Sequence, residues 1–365
     1  MKRICLVSFC NMYVLPYANI YINKIIESGN ECCLLFWDRD AVNGANDVYP
    51  QCQKFVYEKK MTPKSSVCDK ITGYLNAIRY IERVLSEEKF DGLIFLQTHT
   101  AVFCHRKVLK NYYKKFIIDI RDYTLENFKW FYRIESKIIA ASRFAVISSP
   151  AYKRFLPEGR YVIAHNFSPF KKEMVDSVKS KWRSRGENDP INISFIGTVR
   201  FIDMDKRILK IFANDKRFKI NYFGTGSEVL ADFCDKNAIN NVSFFGSFQP
   251  EQTSAFYEQT DLINNLYGNN DKFLDYALSN KLYHSAQFCM PILVCPKTYM
   301  EEISTKYNMS FVFDVGKDED KDRLFEWFRN INYSALEQGC DEFVKSVLLD
   351  NQEFYETIDS FVKTV

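Results

Sequence analysis

The sequence has little of several features that would place it in a specialised class. With 13 glycines and 10 prolines in 365 residues, it lacks the composition of a disordered or fibrous chain. It also has no large charge excess, because 49 Lys and Arg stand against 46 Asp and Glu. This balance argues against a nucleic-acid binder, which needs extra cations to replace condensed counterions. No apolar run reaches the roughly 20 residues that a membrane-spanning helix needs.

The cysteines also lack a recognisable framework. They number 11, and none forms a C-x-x-C pair, so the sequence predicts neither a zinc nor a redox site. Several lie in apolar runs such as ICLVSFC, where a thiol acts as a small apolar group. The N-terminal apolar stretch soon meets Asn11 and Pro16, which favours a first strand over a signal peptide. We therefore expect a cytoplasmic protein with reduced thiols.

What is present is an alternation of short apolar runs and amphipathic stretches, which predicts parallel sheets covered by helices on both faces. The clearest helix is predicted over 69–86, where Ile71, Leu75, Ile78, Ile81 and Leu85 recur at helical spacing. The predicted strands lie at 4–9, 31–37, 54–57, 92–96, 116–120, 144–147, 161–164, 191–196, 219–223, 242–245, 262–266, 292–294 and 311–313.

A polar and basic segment interrupts this alternation at 169–190 and is predicted to be a linker. We therefore predict an α/β fold with two Rossmann-like, doubly wound parallel-sheet domains facing a cleft. The N-terminal domain covers 1–168 and the C-terminal domain covers 191–340. A C-terminal helix over 341–365 is expected to pack back on the N-terminal domain. Such sheets bind ligands beyond the carboxyl ends of their strands.

The strongest local pattern for a ligand is NISFIGTVRFIDMD, at residues 192–205. A strand ends there at Gly197 and Thr198, and Arg200 follows in a polar loop before a helix. A small residue lets a ligand approach the backbone, and an arginine beside a helix N-terminus attracts an anion such as a diphosphate. The alternative is an ordinary loop with a solvated arginine.

A second pattern, NYFGTGSEVL, places Gly224 and Gly226 between a strand and a helix. It lacks the third glycine of the dinucleotide-binding fingerprint, so it is also compatible with a simple tight turn.

A third pattern, LSNKLYHSAQF, begins a helix at Ser279 or Asn280 and places Lys281 in the first turn. A lysine there opposes the helix dipole by ~0.3 to 1 kcal/mol, which a bound phosphate would offset. His284 lies on the same helix face as Lys281. The alternative is a solvated lysine beside a half-buried histidine.

In the first half, polar residues follow the predicted strand ends: Asn11, His99, Arg121 and Asp122. Asp122 is a candidate general base, and His99 could act likewise. The alternative for Asp122 is a structural pair with an arginine, or a helix cap.

Two basic-aromatic stretches, at 110–116 and 127–137, have two interpretations. They could lie against an anionic membrane, with the rings at the interface and the cations on headgroups. They could also be the amphipathic surface of a domain.

The order of FIGTVR, YFGTGSE, NVSFFGSFQPEQTSAFYEQTDLIN and ALSNKLYHSAQFCMPILV resembles the donor domain of GT-B glycosyltransferases, in particular the family-four-type enzymes of bacterial capsule and O-antigen synthesis. DIRDYT and LLFWDRD are reminiscent of their acceptor domain. The resemblance implies a metal-independent hexosyltransferase with no cofactor. Its co-substrate would be a UDP- or GDP-linked sugar, and its acceptor a lipid-linked oligosaccharide at the inner face of the plasma membrane.

These observations together predict residue roles. The expected catalytic set is Asp122 and His99, from the strand ends of the first half, with Arg200 and Lys281, and Asn11 and Arg121 are expected on the acceptor side. Arg200 with Lys206 or Lys281 would hold the donor diphosphate. The expected donor-binding residues are Gly197, Thr198, Arg200, Lys206, Gly224, Gly226, Ser279, Asn280, Lys281 and His284.

One departure from the family pattern opens alternatives. The family's two glutamates, eight positions apart, correspond to Tyr276 and His284. A non-catalytic scaffold subunit that still binds a nucleotide or glycan is therefore one alternative. A GT-B nucleotide-sugar epimerase is another, although it would need acid and base groups on both sides of the anomeric bond.

Overall fold

The computed structural model describes residues 1–40, 48–62, 64–183, 186, 189–249 and 252–365. It forms two compact units. The first comprises Met1–His165 together with Leu349–Val365, and the second comprises Asn166–Leu348. Of the segment predicted as a linker, residues 184, 185, 187 and 188 lie outside the described residues.

The first unit contains a seven-stranded sheet of order β3-β2-β1-β4-β5-β6-β7 in which every neighbouring pair is parallel. The strand order reverses between β1 and β4, which is where ligands bind in sheets of this type. The strands are β1 (Arg3–Ser8), β2 (Glu31–Asp38), β3 (Gln53–Glu58), β4 (Gly92–Leu96), β5 (Phe116–Ile120), β6 (Phe144–Ile147) and β7 (Tyr161–Ile163).

Helices cover this sheet. They are α1 (Ala18–Glu27), α2 (Val67–Glu87), α3 (Thr98–Phe103), α4 (His105–Asn111) and α5 (Lys129–Ala141). The chain ends in a long helix, Tyr333–Thr364, whose residues from Leu349 onward belong to the first unit. There, Phe354, Ile358 and Phe361 are buried in the same core cluster as Ile4 of β1.

The buried face of α2 differs from the one that its spacing predicts. Ile71 and Leu75 are exposed, whereas Gly73 and Ala77 are buried. The reason is Trp37, since a Cβ atom on Gly73 would lie 2.9 Å from the Trp37 ring. Only a small residue can face that ring, so the apolar pattern alone gives the wrong face for the first half of the helix.

The second unit contains a six-stranded, wholly parallel sheet of order β10-β9-β8-β11-β12-β13. The order reverses between β8 and β11. The strands are β8 (Ile191–Ile196), β9 (Phe218–Phe223), β10 (Val242–Phe244), β11 (Leu262–Asn265), β12 (Ile292–Val294) and β13 (Ser310–Val312). Every strand predicted from the sequence is confirmed in the two sheets, to within one residue at either end.

Helices also cover the second sheet. They are α6 (Lys172–Arg183), α7 (Ile202–Ile211), α8 (Glu228–Lys236), α9 (Thr253–Tyr257), α10 (Lys272–Asp275), α11 (Asn280–Phe288), α12 (Tyr299–Lys306), α13 (Asp320–Arg329) and the start of α14 (Tyr333–Thr364). Helix α6 lies within the segment predicted as a linker, and its Val175 and Val178 pack into the core. No helix among the described residues is long and apolar enough to cross a membrane.

Candidate functional site

Two glycine loops meet at the carboxyl edge of the second sheet. Gly197 follows β8 with φ +135°, and Gly224 follows β9 with φ +137°. The Gly197 N–H donates a hydrogen bond to the Phe223 carbonyl at 2.8 Å. A Cβ atom on Gly224 would lie 1.9 Å from the Gly197 carbonyl oxygen, so no other residue fits there. Gly197 and Gly224 therefore form a stretch of backbone without side chains, which we call the glycine ledge. It lies beside the point where the strand order reverses.

Lys281 brings a positive charge to this ledge from the first turn of α11. The helix begins at the cap residue Ser279, whose hydroxyl accepts from the Lys281 N–H at 3.2 Å. The Lys281 side chain lies close to Gly197, because a Cβ atom built on that glycine would be 3.8 Å from Lys281 Nζ. The structure therefore brings Lys281 and Gly197 together, and their role in holding a donor stays a prediction.

The surroundings of Lys281 are apolar and aromatic. The residue is only 5% exposed, and its Nζ lies 4.1 Å from the centre of the Phe195 ring. It donates one hydrogen bond, to the Tyr267 hydroxyl at 2.5 Å. Across the ranges that the structure describes, no carboxylate forms an ion pair with it. A buried ammonium with no carboxylate at ion-pair distance is costly, so this position suits a bound anion.

Asp205 is an acidic residue whose pKa is affected by the charge of Lys281. It lies buried in the first turn of α7 and accepts a hydrogen bond from the Tyr222 hydroxyl at 3.0 Å. Burial raises the pKa of Asp205 to about 6, against the opposing effects of that hydrogen bond and of the Lys281 charge. Its carboxyl group therefore changes charge near neutral pH.

Several other predicted donor-binding residues lie at the same edge. Gly226 approaches the β8 loop, since a Cβ atom there would be 2.7 Å from the Val199 carbonyl oxygen. The Thr198 and Arg200 side chains are exposed in that loop, and Asn280 is exposed beside Lys281. Within the described part of the chain, Arg200 has no ion-pair partner, so its charge is available to a ligand.

Two predicted donor-binding residues have other contacts. Lys206 Nζ lies 5.7 Å from the ring centre of Phe233 on α8, and no described contact joins it to Lys281. His284 Nδ1 lies 2.8 Å from the Tyr257 hydroxyl, and its ring packs edge-on against Phe170. Burial, together with the charge of Lys281, lowers the pKa of His284 to about 4, so the ring is neutral at pH 7.

In the first unit, Asn11 and His99 lie near the switch point between β1 and β4. Asn11 is buried and caps a short helical turn by accepting from the Tyr13 N–H at 3.4 Å. Its amide nitrogen has no hydrogen-bond partner among the described residues. His99 stacks on Phe9, with ring centres 5.7 Å apart. Burial, and next the charge of Arg39, lowers the pKa of His99 to about 4.

Arg121 is held in a buried pair that the sequence analysis missed. Its guanidinium donates twice to Asp119, at 2.5 and 2.8 Å, and Tyr21 donates to the same carboxylate at 2.5 Å. Burial opposes the charge of Arg121, but Asp119 outweighs burial and raises its pKa. Asp122, the candidate general base, is exposed. Arg121 directly follows β5 and lies two positions after Asp119, so the period of two along a strand was a usable signal.

The sequence analysis also missed Tyr267, Phe195, Asp205 and Asn265. Tyr267 and Asn265 come at the end of β11, on one side of the switch point, and the buried Asn265 amide oxygen has no partner among the described residues. The position of β11 in the strand order was the signal that could have found them. No group of three or more His, Cys, Asp or Glu side chains that could hold a metal occurs in the described ranges.

The two doubly wound units, each with a wholly parallel sheet, have the GT-B fold, as the similar solved structures show. No protein-family model matches the chain, and no curated protein matches its sequence. Solved structures do match across nearly the whole chain, at identities that show the fold alone.

One similar structure is HepE from Anabaena in complex with UDP, at 11% identity and a TM-score of 0.67, covering 99% of this chain and 100% of that one. Another is sucrose-phosphate synthase from Thermosynechococcus elongatus, at 8% identity and a TM-score of 0.66, covering 98% and 96%. A third is MurG from Acinetobacter baumannii, at 12% identity and a TM-score of 0.60, covering 99% and 100%.

Proposed function

We propose that this protein is a glycosyltransferase that moves a hexosyl group from a nucleotide-diphosphate sugar to a lipid-linked or oligosaccharide acceptor. The observation that carries the proposal is Lys281, a buried cation without an acidic partner in the described residues, beside the Gly197 ledge. The UDP complex of HepE, which has the same fold, supports a UDP-linked donor. The family-four-type pattern favours a role in capsule or O-antigen synthesis.

The chemistry we propose is displacement at the anomeric carbon. The bond between that carbon and the diphosphate oxygen breaks, and the acceptor hydroxyl oxygen forms the new bond. The hydroxyl proton would pass to an oxygen of the departing diphosphate under retention, or to a base of the protein under inversion. Lys281 and Arg200 would neutralise the departing diphosphate, as protein cations can do without a metal. The family resemblance favours retention of configuration. If the reaction inverts, Asp122 is the favoured general base, because the low pKa of His99 makes that ring a weak proton acceptor at pH 7.

Donor turnover tests this function. The purified full-length chain is incubated with UDP- and GDP-linked sugars, with and without EDTA, and release of the nucleoside diphosphate is measured. We expect slow hydrolysis of at least one donor, unchanged by EDTA. A strict requirement for Mg²⁺ or Mn²⁺ would contradict the proposed role of the protein cations.

A non-catalytic scaffold is the second candidate, and a specific observation favours it. His284, at the position of the second family glutamate, is engaged with Tyr257 and Phe170 instead of being open to a ribose. This candidate predicts UDP binding without turnover of any donor, whereas the transferase predicts both. The same donor panel, with UDP binding measured by calorimetry, therefore distinguishes the two.

We also propose that the start of α5 contacts an anionic membrane, as a lipid-linked acceptor would require. Phe128, Trp130 and Tyr132 are exposed there, with Trp130 at 48%, and Lys129 and Arg133 are exposed among them. Aromatic rings at the interface and cations on headgroups are the chemistry of such a contact. The same surface in a protein without a membrane role would bind neutral and anionic vesicles equally poorly.

Replacing Phe128 and Trp130 together by Ser is expected to weaken binding to vesicles of phosphatidylcholine with phosphatidylglycerol by roughly tenfold, because two rings are withdrawn from the interface. Cosedimentation measures the affinity. The control is Leu349→Ser, which removes an exposed apolar side chain elsewhere in the first unit. Equal binding by the double variant and the wild type would contradict the proposed surface.

A further inference from the structure

The first unit contains a cavity that the proposed function does not use. It lies at the amino edge of the sheet, opposite to the edge where the predicted acceptor-side residues follow the strands. Its volume is about 220 Å³, which is below the roughly 300 to 1,000 Å³ of pockets for drug-sized ligands. The lining includes Arg143, Phe144, Arg160, Glu353, Glu356 and Phe361, all of which belong to the first unit. The cavity therefore suits a small molecule.

The floor of the cavity is apolar. Phe144 begins β6 and Phe361 lies near the end of α14, and each is 2% exposed. Their rings pack edge-on, with centres 6.1 Å apart and planes 84° apart. Both belong to a core cluster of the first unit, so the floor is held in place by the surrounding core. It offers an aromatic contact to an apolar group of a ligand.

One wall of the cavity is positively charged. Arg143 directly precedes β6, and Arg160 directly precedes β7. These strands are parallel neighbours in which Ala145 pairs with Tyr161, so the two arginines lie at the same edge of the sheet. The Arg160 guanidinium lies 5.8 Å from the centre of the Phe144 ring. Both arginines are exposed, and neither forms an ion pair with a residue that the structure describes. This wall therefore offers two guanidinium groups to an anion.

The wall that α14 contributes is negatively charged. Glu353 and Glu356 lie three positions apart and therefore share one helix face. Glu356 accepts a hydrogen bond from the Gln352 side chain at 2.9 Å, and Glu353 has no hydrogen-bond partner in the described ranges. Although Arg143 and Arg160 line the same cavity, neither glutamate forms an ion pair with them. The cavity thus keeps two cations and two carboxylates apart, and a molecule that carries both kinds of charge would contact both walls.

We propose that this cavity binds a small zwitterion, namely an α-amino acid with an apolar side chain. The planar guanidinium groups match the geometry of a carboxylate, and the carboxylates of Glu353 and Glu356 accept hydrogen bonds from an ammonium group. The apolar side chain lies on the floor that Phe144 and Phe361 form. A simple anion such as phosphate fits less well, because the two glutamates would repel it. The amino-acid site does not depend on the proposed function, since none of its residues belongs to the donor or acceptor side.

Ligand-observed NMR on the full-length chain tests the site with L-leucine and two analogues that each lack one charge. Isocaproate lacks the ammonium group, and isoamylamine lacks the carboxylate. We expect each analogue to bind roughly tenfold more weakly than L-leucine, because one charged wall loses its partner. Equal binding of L-leucine and both analogues by the wild type would overturn the proposal. Absence of L-leucine binding at concentrations up to about 10 mM would overturn it as well.

Two substitutions distinguish charge recognition from a general effect on the cavity. Arg160→Gln removes a guanidinium group and is expected to weaken L-leucine binding roughly tenfold, while isoamylamine, which has no carboxylate, binds as it does to the wild type. Glu353→Gln removes a carboxylate and is expected to have the reverse selectivity, so that L-leucine binds more weakly and the affinity for isocaproate is unchanged. A residue that only supports the shape of the cavity would affect all three ligands alike.

The matched control is Arg106→Gln, because Arg106 is an exposed arginine on α4 of the same unit and does not line the cavity. We expect it to bind all three ligands like the wild type. Equal losses for the three ligands in Arg160→Gln or Glu353→Gln would show a structural role and overturn the assigned recognition. Unchanged L-leucine affinity in either variant would also contradict it.

Discussion

Replacing Lys281 by Met is expected to lower the rate of sugar transfer by roughly 100-fold, because it removes a preorganised charge from the departing diphosphate. Lys281 is buried against Phe195 and donates to the Tyr267 hydroxyl, so it is held in place before the donor binds. Methionine has a similar length and fits an apolar pocket. The variant therefore removes the charge while it preserves the packing.

Lys281→Met is not expected to lower the stability of the protein, although it lowers the rate. In the unliganded protein, the ammonium of Lys281 is desolvated, and no carboxylate among the described residues forms an ion pair with it, although its charge favours the ionised form of Asp205. Removing a buried, unpaired charge relieves that penalty. We expect the free energy of unfolding of Lys281→Met, measured by urea denaturation, to equal or exceed that of the wild type. A residue that serves the ligand more than the fold should show this combination of lost rate and retained stability.

The matched control is Lys210→Met, because Lys210 is an exposed lysine on α7 whose Nζ lies 5.7 Å from the Phe233 ring. It should leave both the rate and the stability unchanged. A wild-type transfer rate in Lys281→Met would remove the basis of the proposed function. A slow variant that is also strongly destabilised would indicate that the lysine supports the fold.

The sheets could be predicted from the sequence because parallel strands buried on both faces appear as short, nearly continuous apolar runs. Gly197 and Gly224 directly follow such runs, so their positions at strand ends could be predicted for the same reason. Lys281 could be placed in the first turn of a helix because Ser279 is a typical cap residue. The buried face of α2 could not be predicted, because only a glycine fits against the Trp37 ring at position 73, and Trp37 belongs to β2. The face of α2 that is buried is therefore determined by tertiary packing and not by the apolar periodicity.

The side-chain contacts within the site could not be predicted from the sequence either. Lys281 meets Tyr267 and Phe195 only because α11, β11 and β8 converge at one edge. Lys206 shares the helix face of Lys210, and both lie over Phe233, a contact fixed by the packing of α7 against α8. A charge pattern identifies which residues could bind an anion. The order of the strands decides which of them meet at one place.

Gly224→Ala is expected to destabilise the protein by about 3 kcal/mol or more and to abolish measurable UDP binding. A methyl group there would lie 1.9 Å from the Gly197 carbonyl oxygen, which is backbone and cannot rotate away. The φ of +137° is also unfavourable for alanine. The loop after β8 must therefore move, and it carries Gly197 away from Lys281.

Gly246→Ala is the control that separates strain from overlap. Gly246 also has a positive φ, +68°, but a methyl group there would meet nothing within 4 Å. Its expected cost is only about 1 to 2 kcal/mol, the penalty of the left-handed conformation alone. Urea denaturation and UDP calorimetry are measured on both variants. Equal destabilisation would mean that the two loops do not touch as described, and intact UDP binding in Gly224→Ala would mean that the ligand does not use the ledge.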